Sequence, residues 1–298
     1  MAKHDPQWNL YRSFLAVMSE GSLSAAARGL AMTQPSLGRH IRELETALGV
    51  DLFARSPQGL VPTDMAYALL PHAQAMAAAT AALRRAATAQ DGKTRGVVRV
   101  TASEIISVEV LPSMLAAFRK AQPEVVIELS VTNQPEDLLR KDADIAVRMA
   151  RPTQQALVTR HIGRIELGAY AHKRYLRAHG QPETVEALRE HSLIGFDQET
   201  PYIRSLRPKD LPYTRELFAL RTDNDLAALA AIRAGYGIGF CQVPLAAREP
   251  QLVRLLPEKL ALGMDTWVVM HEDMRRHLAV RKLFDHLATA LIDYANSH

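Results

Sequence analysis

Cysteine is almost missing from this chain of 298 residues, where Cys241 stands alone. That excludes an intramolecular disulfide and a thiolate zinc site, and it fits a reducing compartment. Long hydrophobic runs are missing too. The one extended stretch without charge, Met65 to Leu83, is mostly alanine and holds Pro71, His72, Gln74 and Thr80, so it reads as a helix in water and not as a membrane span. Residues 1 to 20 carry Lys3, His4, Asp5, Arg12 and Glu20 and have no apolar core of signal-peptide type, so a cytoplasmic protein with no membrane partner is expected. Catalytic signatures are absent: no HExxH, no G-x-S-x-G, no Walker sequence and no dinucleotide fingerprint. The histidines are scattered, and Cys241 lies in the apolar run Ile238 to Val243, where a thiol is buried and inert. Gly235, Gly237 and Gly239 precede an apolar strand, whereas a phosphate cradle follows one, so GYGIGF reads as a helix end and a turn. No catalytic residue, cofactor or metal is expected.

An excess of one charge is lacking as well. The formal net charge is only +4, and in the first 66 residues Lys3, Arg12, Arg28, Arg39, Arg42 and Arg55 are balanced by Asp5, Glu20, Glu43, Glu45, Asp51 and Asp64. A basic-tail or histone-like binder is excluded; any nucleic-acid contact has to come from placement.

What is present is a two-helix unit from Gly21 to Leu52. Ser22 or Ser24 can cap a first helix whose inward side is Ala26, Ala27 and Leu30. Thr33 can cap a second, with Pro35 in its first turn and Leu37, Ile41, Leu44 and Leu48 as its apolar stripe. Pro35, Ser36, Arg39, Arg42 and Thr46 fall on the other face. Short polar groups near a helix N-terminus with arginines behind them suit a helix that enters a DNA major groove. Leu10, Phe14, Val17 and Met18 supply a covering helix from Trp8 to Glu20, and Leu52 to Val61 reads as strand, turn and strand, a wing carrying Arg55.

Ser24-Ala25-Ala26-Ala27, Gln34-Pro35-Ser36-Leu37, Arg39, Ile41, Leu44-Glu45, Leu48-Gly49, Leu52-Phe53, Arg55 and Thr63, in this order and spacing, resemble the N-terminal domain of LysR-type transcriptional regulators. Chain length and C-terminal pattern agree with that family. Gly38, His40 and Met65-Ala66 depart from it, standing where serine, glutamine and Ala-Gly are usual. The resemblance implies that Ser24, Thr33, Gln34, Pro35, Ser36, Arg39, Arg42 and Arg55 meet double-stranded DNA.

From Thr63-Asp64 onward Leu69, Ala73, Met76, Thr80, Leu83 and Ala87 recur in alternating steps of four and three, the seam of a coiled coil interrupted by Pro71. Periodicity alone leaves open a dimerising helix or a helix packed on its own chain; the resemblance implies the dimer, and commonly a dimer of dimers. Asp91 to Gly96 reads as a hinge. Beyond it, β-branched runs at Val97–Thr101, Val125–Val131 and Ala143–Val147 alternate with helices at Leu111–Ala121 and Glu136–Lys141. Further strands are expected at Glu166–Ala171, Ser192–Phe196, Ile238–Cys241 and Thr266–Met270, and helices at Thr184–Glu190, Asp225–Arg233 and Leu278–Ala295. The expected fold is α/β with an N-terminal winged helix-turn-helix over 1–64, a linker helix over 65–90, a hinge over 91–96 and a two-lobed region over 97–298. Lobe I would take about 97–160 and 267–298, and lobe II about 161–266. This region resembles the type-II periplasmic-binding-protein fold of the family's effector domain.

In such sheets ligands bind beyond the carboxyl ends of strands, against helix N-termini. Thr101, Ser103, Glu104, Asn133, Gln134, Arg148, Phe196, Tyr202, Thr222, Asp223 and Asn224 lie at such ends. The family's pocket is built at matching places, which carries Ser103, Asn133, Arg148, Phe196 and Thr222 over as effector contacts. Plainer roles stay open: helix caps for Ser103 and Thr222, an ion pair with Asp144 or Glu104 for Arg148, and core for Phe196. The reading is a cytoplasmic DNA-binding regulator, homodimer or homotetramer, responding to a small anionic effector for which a carboxylate is one candidate. The alternative is a solute-binding module with an N-terminal helical adaptor for a protein partner.

Overall fold

A computed structural model describes residues 5–56, 59–88, 94–133, 143–149, 157–200, 203–204 and 214–297. The expected hinge start 91–93, the helix Glu136–Lys141, and Gln134 and Tyr202 lie outside the described residues. The chain divides into two compact units, with the boundary after Arg84.

The first unit is built on α1 (Trp8–Glu20), α2 (Leu23–Gly29) and α3 (Gln34–Leu48). Each end has a local cause. Gly21, at φ 66°, turns the chain out of α1 and donates its N–H to Val17. The Ser22 side chain accepts from the Ala25 N–H at 3.2 Å, so Ser22, and not Ser24, caps α2. Thr33 does the same for α3, accepting from the Ser36 N–H at 3.3 Å. Phe14, Val17, Ala26, Ala27, Leu37, Ile41 and Leu44 are buried between the three helices. Strands β1 (Phe53–Ser56) and β2 (Gly59–Pro62) pair antiparallel as the wing. Glu45 fastens the wing to α3, its Oε1 accepting from the Leu52 N–H at 2.8 Å and the Phe53 N–H at 3.1 Å.

Helix α4 (Asp64–Thr88) starts at Thr63, whose Oγ1 accepts from the Ala66 N–H, and runs unbroken through Pro71. The seam read from the sequence is divided in use. Ala66, Leu69, Leu70 and Ala73 pack on the three-helix core, whereas Met76 is 41% exposed and Leu83 73% exposed.

The second unit holds β3 (Gly96–Ala102), a π-helical turn at Ile106–Val110 leading into α5 (Leu111–Ala121), β4 (Val125–Val131) and β5 (Ile145–Arg148). Then come β6 (Leu157–His172), α6 (Lys173–His179), β7 (Leu193–Gly195), β8 (Phe218–Arg221) and α7 (Asp225–Arg233). The chain finishes with β9 (Ile238–Gln242), α8 (Val243–Ala246), β10 (Leu252–Leu255), β11 (Ala261–His271) and α9 (Leu278–Ala295). Strand order is β4-β3-β5-β11-β6-β9-β7-β8, with β10 also paired to β6. β3 pairs parallel with both β4 and β5, which gathers their carboxyl ends at one edge.

The sheet is two lobes on one ribbon. β6 and β11 run antiparallel along their length, with a register shift at Thr266/Trp267 opposite Gly163 and His161. On one side of the shift β11 pairs with β5; on the other, β6 pairs with β9 and β10. One core centres on Val98, Val100, Val110, Val147, Leu283, Leu287 and Leu291, another on Ala169, Leu193, Phe218, Ile238 and Leu255. Sequence periodicity found only segments of the ribbon strands and missed β8, β10, α6 and α8; the stretch expected as a helix from Thr184 is a short 3-10 turn, Glu186–Glu190. Gly235 (φ 68°) ends α7, and a Cβ on Gly237 would stand 2.0 Å from the Ser192 carbonyl oxygen, so GYGIGF is a helix exit followed by a close backbone crossing.

Candidate nucleic-acid interface and ligand cleft

Burial of Leu37, Ile41 and Leu44 fixes which face of α3 looks outward. Thr33, Gln34, Pro35, Arg39 and Arg42 are exposed, and Ser36 is half-buried. A small hydrogen-bonded set orders the N-terminal end: Ser24 Oγ meets Gln34 Oε1 at 2.9 Å and Thr33 Oγ1 meets Ser36 Oγ at 2.9 Å. Ser24 thus belongs to the same surface as α3 although it lies on α2. Arg39 is held sideways by Glu43, one turn on, at 3.6 Å. Arg55 lies in β1, and its side chain falls outside what is described. His40 turns inward, sharing a 2.8 Å hydrogen bond with Ser13 of α1. Sequence reasoning gave His40 no role, because a contact between residues far apart in the chain leaves no local pattern.

The second site lies where the lobes face each other. Arg148, at the end of β5, donates from Nη2 to Thr101 Oγ1 at 3.1 Å and from Nη1 to the Val147 carbonyl. It stands one residue beyond the Ala102–Val147 pair, level with Ser103. Ser103 is half-buried, and among the described residues its hydroxyl makes no hydrogen bond. Asn133 follows β4; its Oδ1 accepts from the Glu104 N–H at 3.1 Å, and its Nδ2 lies 3.4 Å from Asp225 Oδ2. Ser103, Asn133 and Arg148 therefore share one edge. In the other lobe the Thr222 N–H donates to the Gly195 carbonyl, and Thr222 Oγ1 accepts from the Asn224 N–H at 3.1 Å. The cap of α7 is Asn224, which accepts from the Ala227 N–H at 2.7 Å. Phe196, expected as a ligand wall, is packed edge-on against Phe218 at 4.9 Å and only 9% exposed. It shows little surface to a ligand.

The lobes are joined across the cleft by two glutamates. Glu104 accepts from Asn224 Nδ2 at 3.0 Å and from the Asp225 N–H at 2.9 Å, placing its carboxylate on the first turn of α7. Glu109 takes a forked pair from Arg233 at the far end of α7, at 2.7 and 2.9 Å, while Glu249 accepts from the same guanidinium at 2.8 and 2.5 Å. Five residues apart, the two glutamates would diverge on an ordinary α-helix, and the π-helical turn between them brings both toward α7. The hydrogen bonds from Arg233 hold the Glu109 carboxyl below the usual range. At the other end, lost hydration and the neighbouring Glu104 raise that of Asp225. Burial pushes the Cys241 thiol up to about 12, the behaviour of an inert core cysteine. The sequence marked Glu104 and Asn224 as strand-end and helix-start residues but gave no sign of Glu109 with Arg233.

Two family models match the chain: the bacterial regulatory helix-turn-helix protein, lysR family, over residues 8–67, and the LysR substrate binding domain over residues 91–292. The probable HTH-type transcriptional regulator LtrA of Klebsiella pneumoniae is 26% identical over 285 residues, covering 92% of each chain. The HTH-type transcriptional regulator PtxR of Pseudomonas aeruginosa is 28% identical over 252 residues, 82% of this chain and 80% of that one. Among solved structures, CrgA, a LysR-type transcriptional regulator from Neisseria meningitidis, is 22% identical with a TM-score of 0.59, covering 97% of this chain and 99% of that one. Full-length CbnR complexed with its target DNA is 20% identical with a TM-score of 0.64, covering 95% and 99%. At these identities the likeness to solved structures establishes the fold. Among the described residues no helix is long and apolar enough to cross a membrane.

Proposed function

The chain belongs to the LysR family of transcriptional regulators, and from that premise we propose how its parts divide the work. The winged helix-turn-helix, about residues 1–64, lays α3 in the major groove with Ser24, Thr33, Gln34, Pro35, Ser36, Arg39 and Arg42 toward the DNA and Arg55 toward the flanking backbone. The observation that carries this reading is the outward face of α3, polar and pre-ordered at its N-terminal end. The CbnR structure with its target DNA, on the same fold, supports it. The linker helix, about 65–90, pairs two chains along Met76 and Leu83, apolar side chains left exposed at coiled-coil spacing, giving a homodimer or, if dimers pair, a homotetramer. Residues 91–96 act as the hinge to the effector domain, 97–298.

In that domain an effector enters between a lobe of about 97–160 with 267–298 and a lobe of about 161–266. Ser103, Asn133, Arg148 and Thr222 meet it, and Phe196 supports the wall from behind. Arg148 beside the open hydroxyl of Ser103 favours a carboxylate-bearing molecule. Its arrival competes with the Glu104 contact to α7, so bound and free proteins favour different lobe arrangements, and the response is a population shift. The protein works in the cytoplasm by binding alone, without catalysis.

The test is a salt series of binding to the DNA upstream of the protein's own coding sequence. Tight binding with protected sites spaced by whole helical turns is expected; weak, sequence-indifferent binding there and at other operators would overturn the assignment of α3.

A further inference from the structure

Lobe II holds a second concavity, which shares no residue with the cleft described above. It is an open groove of about 450 Å³ between α6 and the start of β10, a size within the ordinary range of small-molecule sites. Residues three and four apart share a helix face, so Lys173, Leu176 and Arg177 form one wall. Val253 of β10 and Gln251 just before it form the other, and Gln181, past the end of α6, completes the lining. The walls keep their spacing because the Lys173 N–H donates to the Gln251 carbonyl at 2.9 Å and Val253 pairs with Ala171 of β6.

Leu176 and Val253 are half-buried, the outer layer of the core that holds Ala169, Tyr175 and Leu255, so the floor is apolar. The rim is cationic. Lys173 and Arg177 are exposed, no carboxylate lines the groove, and among the described residues neither cation has an acidic partner. That sets them apart from Arg204, Arg215, Arg233 and Arg254 of the same lobe, each of which meets a glutamate or an aspartate. An apolar floor between two uncompensated cations and two primary amides suits a small molecule with a hydrocarbon body and two negatively charged groups.

The residue between the two cations ties the groove to the lobe junction. Arg174 donates from Nη2 to the Ala234 carbonyl at the end of α7, next to Arg233, which holds Glu109. A molecule seated against Lys173 and Arg177 therefore bears on the same helix that caps α7.

We infer that the groove between α6 and β10 binds a small organic dianion, such as a dicarboxylate, and that its occupancy is felt at α7 through Arg174. The inference stands without the effector reading of the cleft.

Hydrogen exchange of the full-length protein, read by mass spectrometry during titration with glutarate, phthalate and glycerol 3-phosphate, tests it. Saturable protection by at least one of these dianions is expected in α6 and β10, weakening as salt is added, and the monoanion butyrate should bind at least about tenfold more weakly. The double variant Lys173→Gln/Arg177→Gln should lose this protection, whereas Arg148→Ala, which alters the cleft, should keep it. Exchange at the C-terminal end of α7 should shift with the same midpoint in the wild type and not in Arg174→Ala. No protection of α6 and β10 by any of the three dianions would overturn the site, and so would protection that the double variant retains or that Arg148→Ala erases. A glutamate-rich peptide that protects α6 where the small dianions do not would give the groove to a protein partner instead. An α7 that never responds, or responds equally in Arg174→Ala, would remove the coupling.

Discussion

The two ends of α7 meet lobe I through glutamates of one short stretch, on opposite terms. At the C-terminal end a guanidinium is forked onto Glu109 and shared with Glu249, so opposite charges meet. At the N-terminal end Glu104 is welcomed by the helix dipole and two donors but arrives beside Asp225, whose ionised form is disfavoured there. One end clamps and the other is close to balance. The balanced end borders Asn133 and Thr222, so at the effector site proposed above a ligand would disturb the contact that costs least to undo.

Arg233→Ala should break this contrast most. It would leave Glu109 and Glu249 facing each other, half-buried, with no shared cation, and we expect a loss of about 2 kcal/mol after allowance for solvent screening. The midpoint of urea unfolding reads it. A shift equivalent to less than about 0.5 kcal/mol would mean that the triad is merely a surface ion pair.

That contrast was invisible in the sequence, whereas the winged helix was not. Leu37, Ile41 and Leu44 recur at helical spacing and Thr33 precedes a first-turn proline, so local pattern and tertiary role coincide in α3. α5, α7 and α9 were legible for the same reason, their periodic apolar faces being the ones the core buries. Ribbon strands β6 and β11 were read short because they pass from one lobe's core to the other's and keep no single alternation. The junction itself joins residues more than a hundred positions apart, Glu104 with Asp225 and Glu109 with Arg233, through a π-helical turn that no residue type announces. Strand ends pointed to the edge where the sequence reading expects a ligand; only the three-dimensional contacts show that Glu104 already reaches across to α7 there.

Glu104→Ala should sharpen the contrast. Two hydrogen bonds to a carboxylate are lost, but so is the pressure on Asp225, and the net cost should be about 1 kcal/mol or less. Hydrogen exchange localises it: amides in the first turn of α7 should lose protection by a factor of about five, while those near Arg233 stay unchanged. Equal loss at both ends would mean that α7 docks as one unit and that its N-terminal contact is no separate latch.

The smallest effect is the response to pH, and its sign separates the two ends. Because the Asp225 carboxyl titrates above its ordinary range in the folded protein, the stability linked to its proton is present at low pH and is lost as pH rises through the folded value. Glu109 behaves oppositely: its contribution is present above the unfolded carboxylate value and is lost only as pH falls through its lowered value. As pH falls toward the raised range of Asp225, therefore, protection in the first turn of α7 should increase, while protection beside Arg233 holds constant until pH falls below the ordinary carboxylate range. Glu104, Asp223 and Asn133 are the groups that face Asp225, and none of them supplies a compensating cation. Asp225→Asn should resemble the protonated protein at every pH and flatten the profile. A first turn that loosened on acidification, or an Asp225→Asn variant that kept the slope, would show that Glu104 and Asp225 do not share the balance described for this end of the helix.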